Sequence, residues 1–241
     1  MSLVITLWVR EGIVMAADSR LTLNQKRPST TEGAMLSLSV AQTDSTNKLF
    51  RLGATQIGIS TVGAADVAGT PIGGYMQEFE NSLSGAQDLS VEQVAGRLLE
   101  YFRGLPGPPS IVFYVAGYYR IQEQLVQQVW QVSVSENNVR QLNVALPQGA
   151  AWNGESDAMV RLLNPVWVKA DDGQYSQLPQ FDIPWGYFTL QDAVDFAIYA
   201  IRTTIDSMRF QVRSKTVGGP IDVLVIEPSE AYWVQHKALH V

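Results

Sequence analysis

Two apolar runs open the chain, residues 3–10 and 13–19, on either side of Glu11-Gly12. Val, Ile, Leu and Trp dominate the first, which predicts two strands joined as a hairpin, with Gly12 taking a positive φ in the turn. Residues 24–46 are polar, with Pro28 and Gly33, and predict a loop that carries one short strand near 35–40. Residues 48–52 and 56–62 predict a second hairpin turning at Gly53-Ala54. The second of these strands is apolar or small near its end, as expected for a strand covered on both faces. Helical spacing follows, with Val67, Ile72, Met76, Phe79 and Leu83 on one side of residues 64–83. Pro71 and Gly73-Gly74 predict a kink or break within it. Ser90 with Gln93 forms a capping box, and Val91, Val94, Leu98 and Phe102 give the helix it opens a clear apolar stripe to about Arg103.

Strands are expected again at 110–119, 127–135 and 139–144. Asn153-Gly154-Glu155-Ser156 begins a short helix that runs to Leu163 and stops at Asn164-Pro165. Residues 166–187 are irregular and aromatic, and large aromatics of this kind suit a contact between subunits. Thr189 with Asp192 caps a long helix over 190–209, and a last hairpin spans 221–227 and 231–234. Blocks of strands and blocks of helices, rather than strict alternation, argue an α+β fold. Two sheets packed face to face with helices outside would hide both faces of the most apolar strands. No linker, repeat or low-complexity tract divides residues 1–241, so one domain is expected.

Composition narrows the function. Of 241 residues, 46% are hydrophobic and 17% charged, enough apolar material for a full core. A net charge of −6 opposes nucleic-acid binding, which needs basic surface. No apolar stretch reaches the ~18 residues of a membrane span, and Arg10 and Glu11 interrupt the first run, so it is not a signal peptide. A cytoplasmic location is the expectation. The chain has no cysteine, which excludes disulfides, thiolate metal sites and thiol catalysis. His236 and His240 stand four apart in the tail without a nearby carboxylate in sequence, so no metal is expected there, and no Gly-rich phosphate loop points to a cofactor.

The candidate chemistry sits at the chain start. Removal of Met1 would put a hydroxyl and a free α-amine on Ser2, nucleophile and general base on one residue. An α-amine with an ordinary pKa of about 7.7–8 is roughly a tenth to a fifth free base at neutral pH. The hairpin brings Asp18 back beside the terminus. A retained Met1 would lock that amine in a peptide bond and leave Ser2 without its own base.

These residues resemble a known family. Ser2, Glu11-Gly12 and Ile13-Val14-Met15-Ala16-Ala17-Asp18-Ser19-Arg20 are similar to the hydroxyl residue, "DG" and "VxxAADSR" of the β-type subunits of the 20S proteasome and their simpler bacterial relatives. The aspartate falls sixteen residues after the nucleophile, as in that family. Asn47-Lys48-Leu49-Phe50 resembles its catalytic-lysine segment. Val62-Gly63-Ala64-Ala65-Asp66 resembles its "GGxAD" apart from the first glycine, and Gly218-Gly219-Pro220-Ile221-Asp222 its last core strand. The resemblance implies a four-layer αββα sandwich of the Ntn-hydrolase type, from two mainly antiparallel sheets flanked by helices. It implies Ser2, Asp18 and Lys48 as catalytic residues, with Val62 or Gly63 backbone N–H as the oxyanion donor. It also implies a peptide or protein substrate, a homo-oligomeric ring and no cofactor; no regulatory ATPase follows from it.

The departures from the family matter as much. Ser2 stands where threonine is usual, and Glu155 takes the serine position of the usual Gly-Ser-Gly turn, followed by Ser156. Gap-free counting puts Ser214 and Val217 where an amine-binding Asp and Ser are usual, and Asp206 fits only if 209–216 is an insertion. Alone, Glu155 suits a first-turn helix carboxylate favoured by the dipole. Two rival readings keep the fold: an inactive scaffold subunit, and an amidase acting on small molecules.

Overall fold

The computed structural model describes residues 2–28, 35–53, 55–86 and 88–238, with backbone alone for 23–28 and 35–42. Met1, Gly33, Ala54 and His240 lie outside the described residues. In chain order the elements are β1 (Leu3–Trp8), β2 (Ile13–Asp18), β3 (Leu21–Pro28), β4 (Met35–Thr43), β5 (Leu49–Arg51), β6 (Ile57–Gly63), β7 (Asp66–Val67), β8 (Thr70–Pro71), α1 (Ile72–Ser82) and α2 (Val91–Arg103). Then come β9 (Ile111–Ile121), β10 (Gln124–Ser133), β11 (Asn138–Gln141), β12 (Gly149–Gly154), α3 (Asp157–Leu163), β13 (Trp167–Lys169), β14 (Tyr175–Gln177), α4 (Leu190–Arg209), β15 (Ile221–Ile226) and β16 (Ala231–Gln235).

Two five-stranded antiparallel sheets carry the fold, ordered β12-β1-β2-β15-β16 and β11-β10-β9-β6-β5. Alternation along β1 explains the layering. Leu3, Ile5 and Leu7 pack with Ala193, Ala197 and Ile201 of α4, while Val4 and Trp8 face the other sheet. In the second sheet Ile57, Ile59 and Phe113 meet Phe79 of α1 and Leu98 and Phe102 of α2. Met15, Ala17, Val62, Ala116 and Leu224 fill the space between the sheets. The fold class is therefore an α+β, four-layer αββα sandwich of two antiparallel sheets flanked by helices. Gly58 sits at the inter-sheet seam because a Cβ there would lie 2.7 Å from Met15 Sδ and 2.8 Å from Leu224 Cδ2.

Both expected capping boxes are present, Ser90 with Gln93 on α2 and Thr189 with Asp192 on α4. Four local expectations need correction. Gly12 does not take a positive φ; a Cβ there would stand 2.9 Å from the Ile226 carbonyl, so close approach, not backbone handedness, requires glycine. The strand expected near 35–40 is present within β4, but the polar segment 24–46 is not otherwise loop, because β3 pairs with β4 over eight residues. The helix expected from residue 64 begins only at Ile72; Asp66–Val67 and Thr70–Pro71 pair first, and Pro71 is its N-cap. The segment 149–154 forms β12 on the edge of β1, and the helix after it starts at Asp157.

Phe102 is fully buried, its ring centroid 4.7 Å from that of Phe113 across the helix–sheet interface. Phe102→Ala should lower the unfolding free energy by about 3–5 kcal/mol through lost contact and a residual cavity. Denaturant unfolding checks this, and a loss under about 1 kcal/mol would contradict the packing described.

Candidate functional site

The β1–β2 hairpin places Asp18 through its register. Val4 pairs with Ala17, so the next residue of β2 falls beside Leu3. Asp18 is fully buried, and all its charge is used. Oδ1 accepts from the Leu3 N–H at 2.9 Å and from Lys48 Nζ at 2.8 Å. Oδ2 accepts from the Gly218 N–H at 3.0 Å and the Arg20 N–H at 3.1 Å. A buried carboxylate is tolerated when charge and lone pairs are satisfied in this way.

Lys48 precedes β5 and is only 4% exposed. Its carbonyl accepts from the Thr61 N–H at 2.9 Å, extending the β5–β6 pairing and fixing the lysine backbone. Its ammonium donates to Asp18 and, at 2.5 Å, to the Arg20 carbonyl. The third donor has no acceptor among the described residues. Burial pushes the Lys48 ammonium below the ordinary lysine value; Asp18 opposes that, Lys237 adds to it by repulsion, and Asp44 opposes it weakly.

Ser2 is buried and lines a cavity of about 170 Å³ together with Lys48, Thr61, Val62, Gly63 and Thr22. Its carbonyl accepts from the Glu155 N–H at 2.7 Å, while the next amide, Leu3, is held by Asp18. The cavity wall at β6 ends where Gly63 has φ +121° and a Cβ would lie 2.4 Å from the Ser110 carbonyl oxygen, so only glycine fits that turn. Ser2, Asp18, Lys48, Val62 and Gly63 are thus brought to one place. The Oγ1 atoms of Thr61 and Thr22 are shut off from solvent and have no hydrogen-bond partner among the described residues. Such an atom costs about 1–3 kcal/mol when left unpaired.

The accessory candidates fare differently. Glu155 is buried and lies before the N-cap of α3, not in its first turn. Its Oε1 pairs with Arg213, and its Oε2 accepts from Thr216 Oγ1 at 3.1 Å. Ser156 is the N-cap of α3 but makes no side-chain cap bond. Asp206 is exposed on α4 and does not line the Ser2 cavity, and neither does Ser214, exposed in the loop after α4. His236 meets the buried Asp222 carboxylate at 3.2 Å and stacks on Trp233.

Three residues around the site went unread in the sequence. Asp44 holds Arg20 by two 2.7 Å bonds, which raises the Arg20 value and lowers that of Asp44. The Arg20 guanidinium in turn packs where a Cβ on Gly218 would lie, 2.4 Å from its Cζ. Arg213 and Thr216 are the other two. All three belong to irregular polar stretches with no periodicity to mark them; only the proximity of Arg213 and Thr216 to Gly218-Gly219 offered a signal.

Comparison with known proteins adds the fold. No family model matches the chain, and no curated protein does. Among solved structures the chain is similar to the Anbu (Gly-1) mutant from Hyphomicrobium sp. strain MC1, with a TM-score of 0.60. That likeness covers 98% of this chain and 86% of the other at 16% identity. It shows a shared fold alone and distinguishes no subunit type. Function rests on the site itself.

The direction of the Lys48 shift has a consequence for stability. Between its depressed folded value and the ordinary value of about 10.4, the unfolded chain holds one more proton than the folded one. Raising the pH through that interval therefore favours the folded state. Chemical denaturation across the alkaline range should show this rise in the wild type and lose it in Lys48→Met; identical profiles would contradict the burial of a charged Lys48.

Proposed function

We propose that this chain is a proteasome-like N-terminal-nucleophile hydrolase that cleaves peptide or other amide bonds with Ser2, once Met1 has been removed. The observation that supports this most is the Asp18 carboxylate, which joins the amide next to Ser2 to the Lys48 ammonium. In the proposed reaction the freed α-amine takes the Ser2 hydroxyl proton while Oγ attacks the substrate carbonyl carbon. Lys48 steadies the developing alkoxide, and its positive charge holds the neighbouring amine toward its free-base form. The N–H of Val62 or Gly63 receives the oxyanion. Collapse passes the proton to the leaving amine and leaves an ester on Ser2, which water then hydrolyses.

Catalysis by this route needs no metal or cofactor. No described helix is long and apolar enough to cross a membrane, and a cytoplasmic location remains part of this proposal. So does assembly into a homo-oligomeric ring. Trp167, Tyr175, Phe181 and Tyr187 are exposed between α3 and α4, which suits a contact with further copies of the chain. The Glu155 carboxylate in place of a serine hydroxyl keeps the scaffold reading alive as an outcome of the test.

Hydrolysis of a panel of short fluorogenic peptides by the processed protein tests this reading. Ser2→Ala should abolish turnover. Lys48→Ala should lower kcat by about 10²–10³-fold, the scale of one lost charge-stabilising group, with the far-UV circular dichroism retained. Full turnover in Lys48→Ala, or none in the wild type, would refute the assignment.

A further inference from the structure

Ser2 is held on two sides, and one irregular segment contacts both holding groups. The loop between α4 and β15 carries Arg213, Thr216 and Gly218. Gly218 donates its N–H to Asp18 Oδ2 at 3.0 Å, and its carbonyl accepts from the Ser19 N–H at 3.0 Å. Through Asp18 this end of the loop reaches the Leu3 amide. The other end works through Glu155, whose N–H donates to the Ser2 carbonyl at 2.7 Å.

That second grip depends on a close approach. Gly154 has φ +104°, and a Cβ there would lie 1.8 Å from the Ser2 carbonyl oxygen. Glycine lets the backbone come this near, and the next residue then delivers its N–H. What stops that N–H from swinging away is the Glu155 side chain, only 6% exposed. Its carboxylate is bound by Arg213 and by the Thr216 hydroxyl.

A purely structural staple is one role for this network. It describes one arm well: Arg213 also reaches Asp157 at 3.0 Å, but the Asp157 side chain is 62% exposed, so that pair contributes little. The Glu155 arm is different in kind. Loss of Arg213 would leave a buried carboxylate with one hydroxyl donor, which is strongly unfavourable and would drive Glu155 outward. Its backbone N–H would move with it.

We infer that Glu155, held by Arg213 and Thr216, is a positioning residue that fixes Ser2 for attack. The catalytic consequence rests on the hydrolase reading above; the geometric one does not. Nucleophile placement is sensitive, since a displacement near 1 Å costs on the order of 10²-fold in rate.

The test uses the processed full-length protein with Glu155→Gln, Arg213→Ala and Arg213→Lys. Two readouts are taken on each variant: peptide turnover, and amide hydrogen exchange at Leu3 and Glu155. Arg213→Ala and Glu155→Gln should lower kcat by about 10- to 100-fold while KM changes less than about twofold. Arg213→Lys should recover most of the loss, and the Glu155→Gln/Arg213→Ala double variant should be no slower than the worse single one. Exchange at Glu155 and Leu3 should accelerate in Arg213→Ala and return toward wild type in Arg213→Lys. Unchanged kcat in an active background would overturn the inference. If the wild type itself turns nothing over, the hydrolase reading fails alone, and unchanged exchange in Arg213→Ala is then the result that overturns the clamp.

Discussion

Four donors from four separate stretches of chain converge on one buried carboxylate. Leu3 opens β1, Arg20 follows β2, Lys48 precedes β5 and Gly218 precedes β15, and each gives a hydrogen to Asp18. An ionised carboxylate without these partners would be expelled from the interior or neutralised. The two sheets close over this end of the molecule where these stretches meet. Lys48 comes from the second sheet and Asp18 from the first, so their ion pair ties the two layers at the edge where the inter-sheet core of Val4, Leu49 and Val62 ends. The same convergence leaves Ser2 and Lys48 lining one small cavity.

Local chemistry made part of this legible. The hairpin and its register put Asp18 near the terminus, because pairing of two six-residue strands across a tight turn leaves little freedom. Capping boxes at Ser90 and Thr189 named two helix starts by hydrogen bonds that span three residues. Lys48 was legible only by resemblance, since a lone lysine before a strand is ordinarily solvated. Elements whose reason lies far along the chain were not legible. Gly149–Gly154 has no alternating pattern and becomes β12 only because β1 offers it an edge. Residues 24–46 read as a polar loop with one short strand near 35–40, whereas 21–28 and 35–43 form two strands that pair with each other. Arg213 means nothing until the fold sets it on Glu155, and the polar run around Asp44 gives no hint of Arg20.

Fold and chemistry answer separate questions in this molecule. The likeness to the Anbu structure concerns the path of the chain, at an identity of 16%. The chemistry lies in a buried lysine whose proton is loosened by its surroundings and a serine that lines the same small cavity. Where the resemblance predicted a serine-centred turn, the chain supplies a glutamate–arginine–threonine network that reaches Ser2 through backbone. The proposal is one nucleophile with two supports: Asp18 and Lys48 supply charge on one flank, and Glu155 supplies position on the other.

Mass spectrometry of the purified protein after reaction with a serine- and threonine-directed electrophile tests the central claim most directly. The account predicts a chain that begins at residue 2 and carries a single adduct, mapped to Ser2. A chain that keeps Met1 and gains no mass, or an adduct mapped to another hydroxyl, would contradict it.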